Sequence, residues 1–275
     1  MITESNKSPT VSVIISTKNE EKNILNCLQS IENQNYSGEV EIIVVDNHSK
    51  DKTAKLVTSL VSKLIIAGPE RSKQRNIGAK NSTGKWLVFL DADMEISSNL
   101  IKECVTLTTK SLYPPMIVIP EQSQGHSFWG KALALERNCY KGPSWLLAAR
   151  FFPKSTFLKL KGYDQNLSAG EDWDLTQRMQ EKGVPMLMVK NSVIYHHEST
   201  DPLFKLFKKE AYYIKYISSY ARKHPIAFSY QGSFFYRGFI WIRSWRELIK
   251  HPILTPAFLW YKFIVWLMWQ KYKKV

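Results

Sequence analysis

Four short apolar runs, separated by stretches with helical spacing, restrict what this chain can fold into more than any other feature. They are "VSVIIST" (11–17), "EVEIIVVDN" (39–47), "KLIIAG" (63–68) and "KWLVFLDAD" (85–93). Between them, "EEKNILNCLQSIENQ" sets Ile24, Leu28 and Ile31 on one helical face, while "DKTAKLVTSLVSK" and "RSKQRNIGAKNSTG" read as two further helices, the last ended by Gly84. Runs that are apolar at nearly every position suit strands covered on both sides. The alternation therefore predicts an α/β fold with a mostly parallel central sheet flanked by helices. In such sheets ligands bind beyond the carboxyl ends of the strands. Three of the four runs end there in polar residues: "STKNE", "DNHS" and "DADME".

A second block, 116–197, carries strand-like "MIVIP", "WLLAARFF" and "MLMVKNSVIYHHE", with a helix "DWDLTQRMQEKG" between the latter two. The remainder, 201–275, differs in composition. It holds 14 Lys/Arg against 3 Asp/Glu, so +11 of the chain's +14 lies there, with 21 of the 35 aromatic residues. The expected division is a domain over 1–200 and a basic, aromatic helical tail over 201–275. With 44% apolar residues in 275, a buried core is expected and disorder excluded. Three widely spaced cysteines (Cys27, Cys104, Cys139) suit neither a disulfide framework nor a zinc cluster. The polar lead "MITESNKSPT" lacks the basic region and apolar segment of a signal peptide, so a reducing, cytosolic setting is expected.

Each candidate site residue has a plain structural alternative. Asp91 and Asp93 could cap the next helix. At a strand's carboxyl end, however, two nearby carboxylates repel unless a cation offsets them, and Mg²⁺ favours one or two carboxylates plus phosphate oxygens. Asp46 could simply start the turn at Asn47–Ser49, and Thr17, Asn19 and Glu20 could cap the first helix. Arg71, Arg75 and Asn76 could lie on a solvated helix face, but the small Gly78 and Ala79 beside them permit close packing or a close ligand. In "LSAGEDWDL", Gly170 permits a tight turn before Glu171, Asp172 and Asp174. Acidic first turns are favoured by the helix dipole, yet three carboxylates exceed what capping needs. The same dipole keeps Asp172 ionised, as a general base must be. Adjacent His196 and His197 point to opposite faces of a strand, so at most one faces a given site.

In this order and spacing, "VSVIISTKNEEKNI", "EIIVVDNHSKDKT", "GPERSKQRNIGAKNSTGKWLVFLDAD" and "FFPKSTFLKLKGYDQNLSAGEDWDLTQRMQEKG" resemble the family 2 glycosyltransferases over about residues 9–200. The resemblance implies the nucleotide-sugar-binding GT-A fold and roles for the matching positions. Thr17, Asn19, Glu20 and Asp46 would contact the nucleoside, and Arg75 and Asn76 its base or phosphates. Asp91 would lie near the ribose or sugar. Asp93 would ligate a divalent metal, Mg²⁺ or Mn²⁺, with His196 completing the site and His197 as competitor. Asp172, from the pair Glu171–Asp172, would be the catalytic base of a single inverting displacement. The Gln-X-X-Arg-Trp pattern of processive synthases does not occur, so transfer of one sugar is expected. For the acceptor, His126, Trp129, Arg137 and Arg150 are the candidates.

For the tail, Trp and Tyr in dense apolar runs flanked by Lys/Arg suit the headgroup zone of an anionic membrane better than nucleic acid. The run 256–269 contains Lys262 and is shorter than the ~20 residues a spanning helix needs. Interfacial helices on the cytoplasmic face of a membrane are therefore expected, with a lipid-linked or glycolipid acceptor and no nucleic-acid partner. The alternatives are a polyprenyl-phosphate sugar synthase and a non-catalytic carbohydrate-binding relative. A phosphate nucleophile needs no base, so Glu171–Asp172 favours a hydroxyl acceptor; a dead relative would lack an acidic position, and none is missing.

Overall fold

The computed structural model describes residues 8–140 and 146–273. The polar lead over 1–7, the start of the expected "WLLAARFF" strand and the last two residues of the tail lie outside the described residues. In chain order the first elements are β1 (Val11–Thr17), α1 (Ile24–Glu32), β2 (Val40–Asp46), α2 (Thr53–Val57), β3 (Lys63–Ile66) and α3 (Arg71–Asn81). Then come β4 (Trp86–Asp91), β5 (Met94–Ile96), α4 (Leu100–Thr108), β6 (Met116–Val118), β7 (Glu121–Gln124) and α5 (Phe128–Asn138). They are followed by β8 (Ala149–Pro153), α6 (Lys154–Lys159), α7 (Glu171–Glu181), β9 (Met186–Met188) and β10 (Ile194–His197). The chain ends with α8 (Leu203–Lys223), α9 (Pro225–Gln231), α10 (Phe234–Arg243), α11 (Trp245–Leu248) and α12 (Leu254–Lys273).

These elements form two compact units. The first comprises Met1–Pro120, Ala148–Gln165 and Leu175–Ile194. It contains a seven-stranded sheet in the order β3-β2-β1-β4-β8-β6-β9. The pairs β1/β2, β1/β4 and β2/β3 are parallel, whereas β8 runs antiparallel to both β4 and β6. All seven residues of β1 are buried, which is why the strand is apolar on both faces. One face receives α1 through Ile24, Cys27, Leu28 and Ile31, which pack with Val11, Val13 and Ile15. The other receives α3 at its glycine: a Cβ on Gly78 would lie 2.4 Å from Ile14 Cγ2. The small pair Gly78–Ala79 thus serves close helix–sheet packing. Register brings Thr17 beside Asp46 and Ser16 beside Asp91, so three strand ends meet at one edge. That edge is the switch point of the order 3-2-1-4, where α/β sheets open a crevice.

Two elements are shorter than their patterns predict. The helix expected over 51–63 covers only Thr53–Val57. Beyond it, Thr58 turns its hydroxyl back to Ala54 O at 2.8 Å, and the Thr/Ser-rich continuation competes with the helix for backbone groups. The strand expected over 186–198 is β9 and β10, because Glu103 Oε1 draws the N–H groups of Lys190 and Asn191 (2.8 and 3.1 Å) out of any ladder.

The second unit comprises Glu121–Leu147, Asn166–Asp174 and Tyr195–Val275. The compact units therefore do not divide at residue 200. The apolar face of α12 needs a partner, and α5 supplies it: Phe258 packs with Ala132 and Leu135, and Tyr261 with Leu133 and Leu206. Lys262 enters this interior by pairing with buried Glu136 at 3.3 Å. Among the described residues no helix is long and apolar enough to cross a membrane.

Candidate functional site

In the first unit, the strand-end edge is organised around Asp91. Arg75, fully buried on α3, donates from NH2 to Asp91 Oδ1 at 2.9 Å, and Arg71 NH1 lies 3.7 Å from Oδ2. Arg150, on β8, adds positive charge to the same carboxylate. Burial pushes the Asp91 carboxyl up, but Arg75, then Arg71 and Arg150, outweigh it and hold it far below the usual carboxylate range. The Arg75 guanidinium also sits over the Tyr163 ring, 5.2 Å from its centroid. Ser16 completes the arrangement by donating to Asp91 Oδ1 at 3.2 Å.

Neighbouring residues divide into those that build the edge and those that face it. Asp46 accepts from Ser49 N at 2.8 Å and from the Ser49 hydroxyl, so its carboxylate anchors the 47–49 turn. Asn19 adopts φ +56°, and its Oδ1 accepts from Lys50 N at 2.8 Å, which ties the loop after β1 to the loop after β2. Asn76 also has a structural role. Its amide is engaged on both sides by Tyr163, donating to the carbonyl at 2.8 Å and accepting from the N–H at 2.9 Å. It therefore clips the turn that carries the ring under Arg75. Thr17 is different: its hydroxyl is buried at the β1 end with no hydrogen-bond partner. A buried hydroxyl in that condition is uncommon in folded proteins. Glu20 accepts from Asn23 Nδ2 at 2.8 Å. Its carboxyl is raised chiefly by burial, with Asp93, Asp91 and Asp51 adding repulsion.

Asp93 occupies the turn between β4 and β5. Among the described residues no group of three or more His, Cys, Asp or Glu side chains is arranged to hold a metal ion. An Mg²⁺-type ion, which keeps waters and takes phosphate oxygens beside one or two carboxylates, does not require such a cage, and Asp93 fits that donor set.

In the second unit, His196 Nδ1 lies 3.0 Å from Arg137 NH1, and Arg137 also pairs with buried Glu198 at 3.0 Å. Arginine can only donate, so Nδ1 accepts in this pair. His197 Nδ1 lies 3.4 Å from His126 Nε2, with the two rings stacked. Trp129 packs with Phe128, Trp260 and Tyr261 as part of the interior. Glu171 and Asp172 open α7, Glu171 buried and Asp172 partly exposed. Asp174, one turn along, is fully buried and accepts from Lys223 Nζ at 2.7 Å and His224 Nε2 at 2.9 Å. Neither partner stands out in the sequence. The nearest signal is the position of His224 before Pro225, which ends a helix.

The sheet order and the polar strand ends define an α/β protein of the GT-A type. The structure of Staphylococcus aureus TarS in complex with UDP-GlcNAc has this fold, with a TM-score of 0.56 over 76% of this chain and 66% of that one, at 17% identity. Residues 12–134 match Glycosyl transferase family 2, and the chain carries a domain of that family. A curated relative, the poly(ribitol-phosphate) beta-N-acetylglucosaminyltransferase TarS of S. aureus, is 33% identical over 102 residues, 34% of this chain and 18% of that protein. The GalNAc(5)-diNAcBac-PP-undecaprenol beta-1,3-glucosyltransferase of Campylobacter jejuni is 25% identical over 181 residues, 59% of this chain and 57% of that one. The chain thus matches only part of the length of these relatives.

Proposed function

We propose that the protein is an inverting glycosyltransferase that moves a single sugar from a nucleotide-sugar donor to a hydroxyl of a membrane-embedded, lipid-linked glycan, with Mg²⁺ or Mn²⁺. The observation that carries this reading is the edge formed by β1, β2 and β4, where the unpartnered Thr17 hydroxyl and a carboxylate surrounded by arginines both stand at strand ends. A nucleoside offers the Thr17 hydroxyl the partner it lacks, and Arg71 and Arg150 bring positive charge that suits a diphosphate. The bound UDP-GlcNAc of TarS and the undecaprenol-linked substrate in the Campylobacter relative's name support the donor and acceptor classes.

Asp93 would hold the metal, which when bound neutralises charge building on the departing diphosphate. Asp172 accepts the proton of the acceptor hydroxyl as its oxygen bonds to the anomeric carbon. The bond from that carbon to the diphosphate oxygen breaks, its electron pair leaves with the diphosphate, and the configuration inverts. Membrane attachment is peripheral, on the cytoplasmic face. Its support is the exposed row Phe235, Phe239, Ile242, Trp245, Ile249 and Ile253 on and after α10, interleaved with Arg243, Arg246 and Lys250.

The test is release of UDP or GDP from a panel of UDP- and GDP-sugars with membrane lipid extract and Mg²⁺ or Mn²⁺, with the lipid product weighed by mass spectrometry. Asp172→Asn should lower turnover by about 10²–10⁴-fold while nucleotide binding survives. Retention of more than about a tenth of wild-type turnover would remove Asp172 from the role of base.

A further inference from the structure

The loop that carries Glu171–Asp172 is held by the basic tail. Gly170 adopts φ +77° and lies flat on Tyr220 of α8: a Cβ there would meet Tyr220 Cγ at 2.8 Å and Ile217 Cδ1 at 3.0 Å. The Trp173 ring stands 5.7 Å from the Tyr220 ring, while its Nε1 donates to Leu146 O at 3.0 Å. Asp174 ends the turn, its N–H bonded to Gly170 O at 2.9 Å and its Oδ1 accepting from both Lys223 and His224. Tyr220 is itself fixed, donating to Gln231 Oε1 at 2.7 Å, and Gln231 O accepts from Arg237 Nε at 3.1 Å. Residues 170–174 therefore meet one surface, the C-terminal end of α8, through a glycine, a ring, a lysine and a histidine.

A capped first turn requires no buried carboxylate with two side-chain partners from a distant helix, since the dipole alone favours an acidic residue there. Two donors converging on one oxygen at the base of the turn instead set its rotation and height, and a misplacement of about 1 Å can cost 10²-fold in rate. We propose that Lys223 and His224 are positioning residues for the transfer reaction. They act through Asp174 to orient the turn that presents Asp172, so the tail contributes to catalysis as well as to attachment. This rests on the reading of Asp172 as the base.

Two measurements on the full chain test it. Hydrogen exchange of the amides 171–175 in His224→Leu should be about tenfold faster or more, with exchange of α5 and α12 unchanged. In His224→Gln, whose amide can still donate to Asp174, it should stay near wild type. In the same UDP- and GDP-sugar assay, His224→Leu and Lys223→Met should lower kcat by about 10–10²-fold with the donor KM within about twofold, and Lys223→Arg should recover much of the loss. The combined His224→Leu, Asp174→Asn variant should be no slower than the slower single variant. Wild-type kcat in both single variants overturns the proposal, as does an equal loss in His224→Leu and His224→Gln, because that loss would be merely structural. If Asp172→Asn is inactive and these variants are not, the clamp fails alone. If Asp172→Asn is active, the base reading fails and takes the clamp with it.

Discussion

Replacing Arg75 by methionine gives the sharpest test of how the strand-end edge is held. Arg75 is fully buried and lies 2.9 Å from a carboxylate that is itself mostly covered. Methionine fills much of the volume but leaves Asp91 facing Arg71 at 3.7 Å and Arg150, the former nearly half exposed. Removing one partner of a buried pair costs about 3–5 kcal/mol, and loss of the cation from the Tyr163 face adds up to about 2 kcal/mol. Residual help from Arg71 and Arg150 offsets part of this, so about 3–4 kcal/mol is expected from urea unfolding at pH 7. The pH dependence has a definite sign. The folded Asp91 carboxyl titrates below its unfolded value, so its contribution is present above about pH 4 and fades as the solution is made more acid. As the pH falls the destabilisation should shrink, because the folded variant, lacking Arg75, takes up a proton on Asp91 before the folded wild type does, while the two unfolded chains titrate alike and cancel. Adding Asp91→Asn should recover a coupling of about 2 kcal/mol or more. A loss under about 1 kcal/mol at pH 7, or no coupling between the two sites, would refute the claim that this pair holds the edge.

Asn76→Ala should cost about 2–4 kcal/mol in the same unfolding assay, because it strips partners from the N–H and C=O of Tyr163 at once. Gly78→Ala should cost about 1–3 kcal/mol, since its Cβ would meet Ile14 at 2.4 Å; a neutral result would mean that α3 can lift from the sheet without penalty. Phe235→Glu with Phe239→Glu, both on the exposed side of α10, should lower co-sedimentation with anionic vesicles by about tenfold or more while leaving the melting temperature unchanged. Binding that persists would move the membrane contact elsewhere.

The parallel half of the sheet was readable because its strands carry apolar residues on both faces, a pattern that tolerates small errors in the ends. The carboxyl edge was readable for the same reason, since polar residues after such strands have few other places to be. The backbone clip made by Asn76 was not readable, because a side chain that clips backbone carries the same letters as one that binds a ligand. Its partner, Tyr163, is distant in sequence and is met only through the antiparallel strand β8. The packing of the tail was hidden in another way. Composition marks a boundary near residue 200, but the apolar face of α12 is matched to α5, and only packing reveals that match. Lys223 and His224 read as ordinary residues at a helix end until Asp174 is placed between them.

The strand β4 has a further consequence for how the chain is made. Its right-hand neighbour, β8, begins only at Ala149, although β4 ends at Asp91. At about 5–20 residues per second of synthesis, β4 waits on the order of seconds after emerging before β8 can pair with it. In that interval "WLVFLD" is an open, two-faced apolar edge on a newly formed parallel sheet, the kind of edge to which another nascent chain can add. Lys85 immediately before it and Asp91 at its end are the only charges that oppose such pairing. The same carboxylate that the finished protein surrounds with arginines is, during synthesis, one of the two charges flanking that open edge.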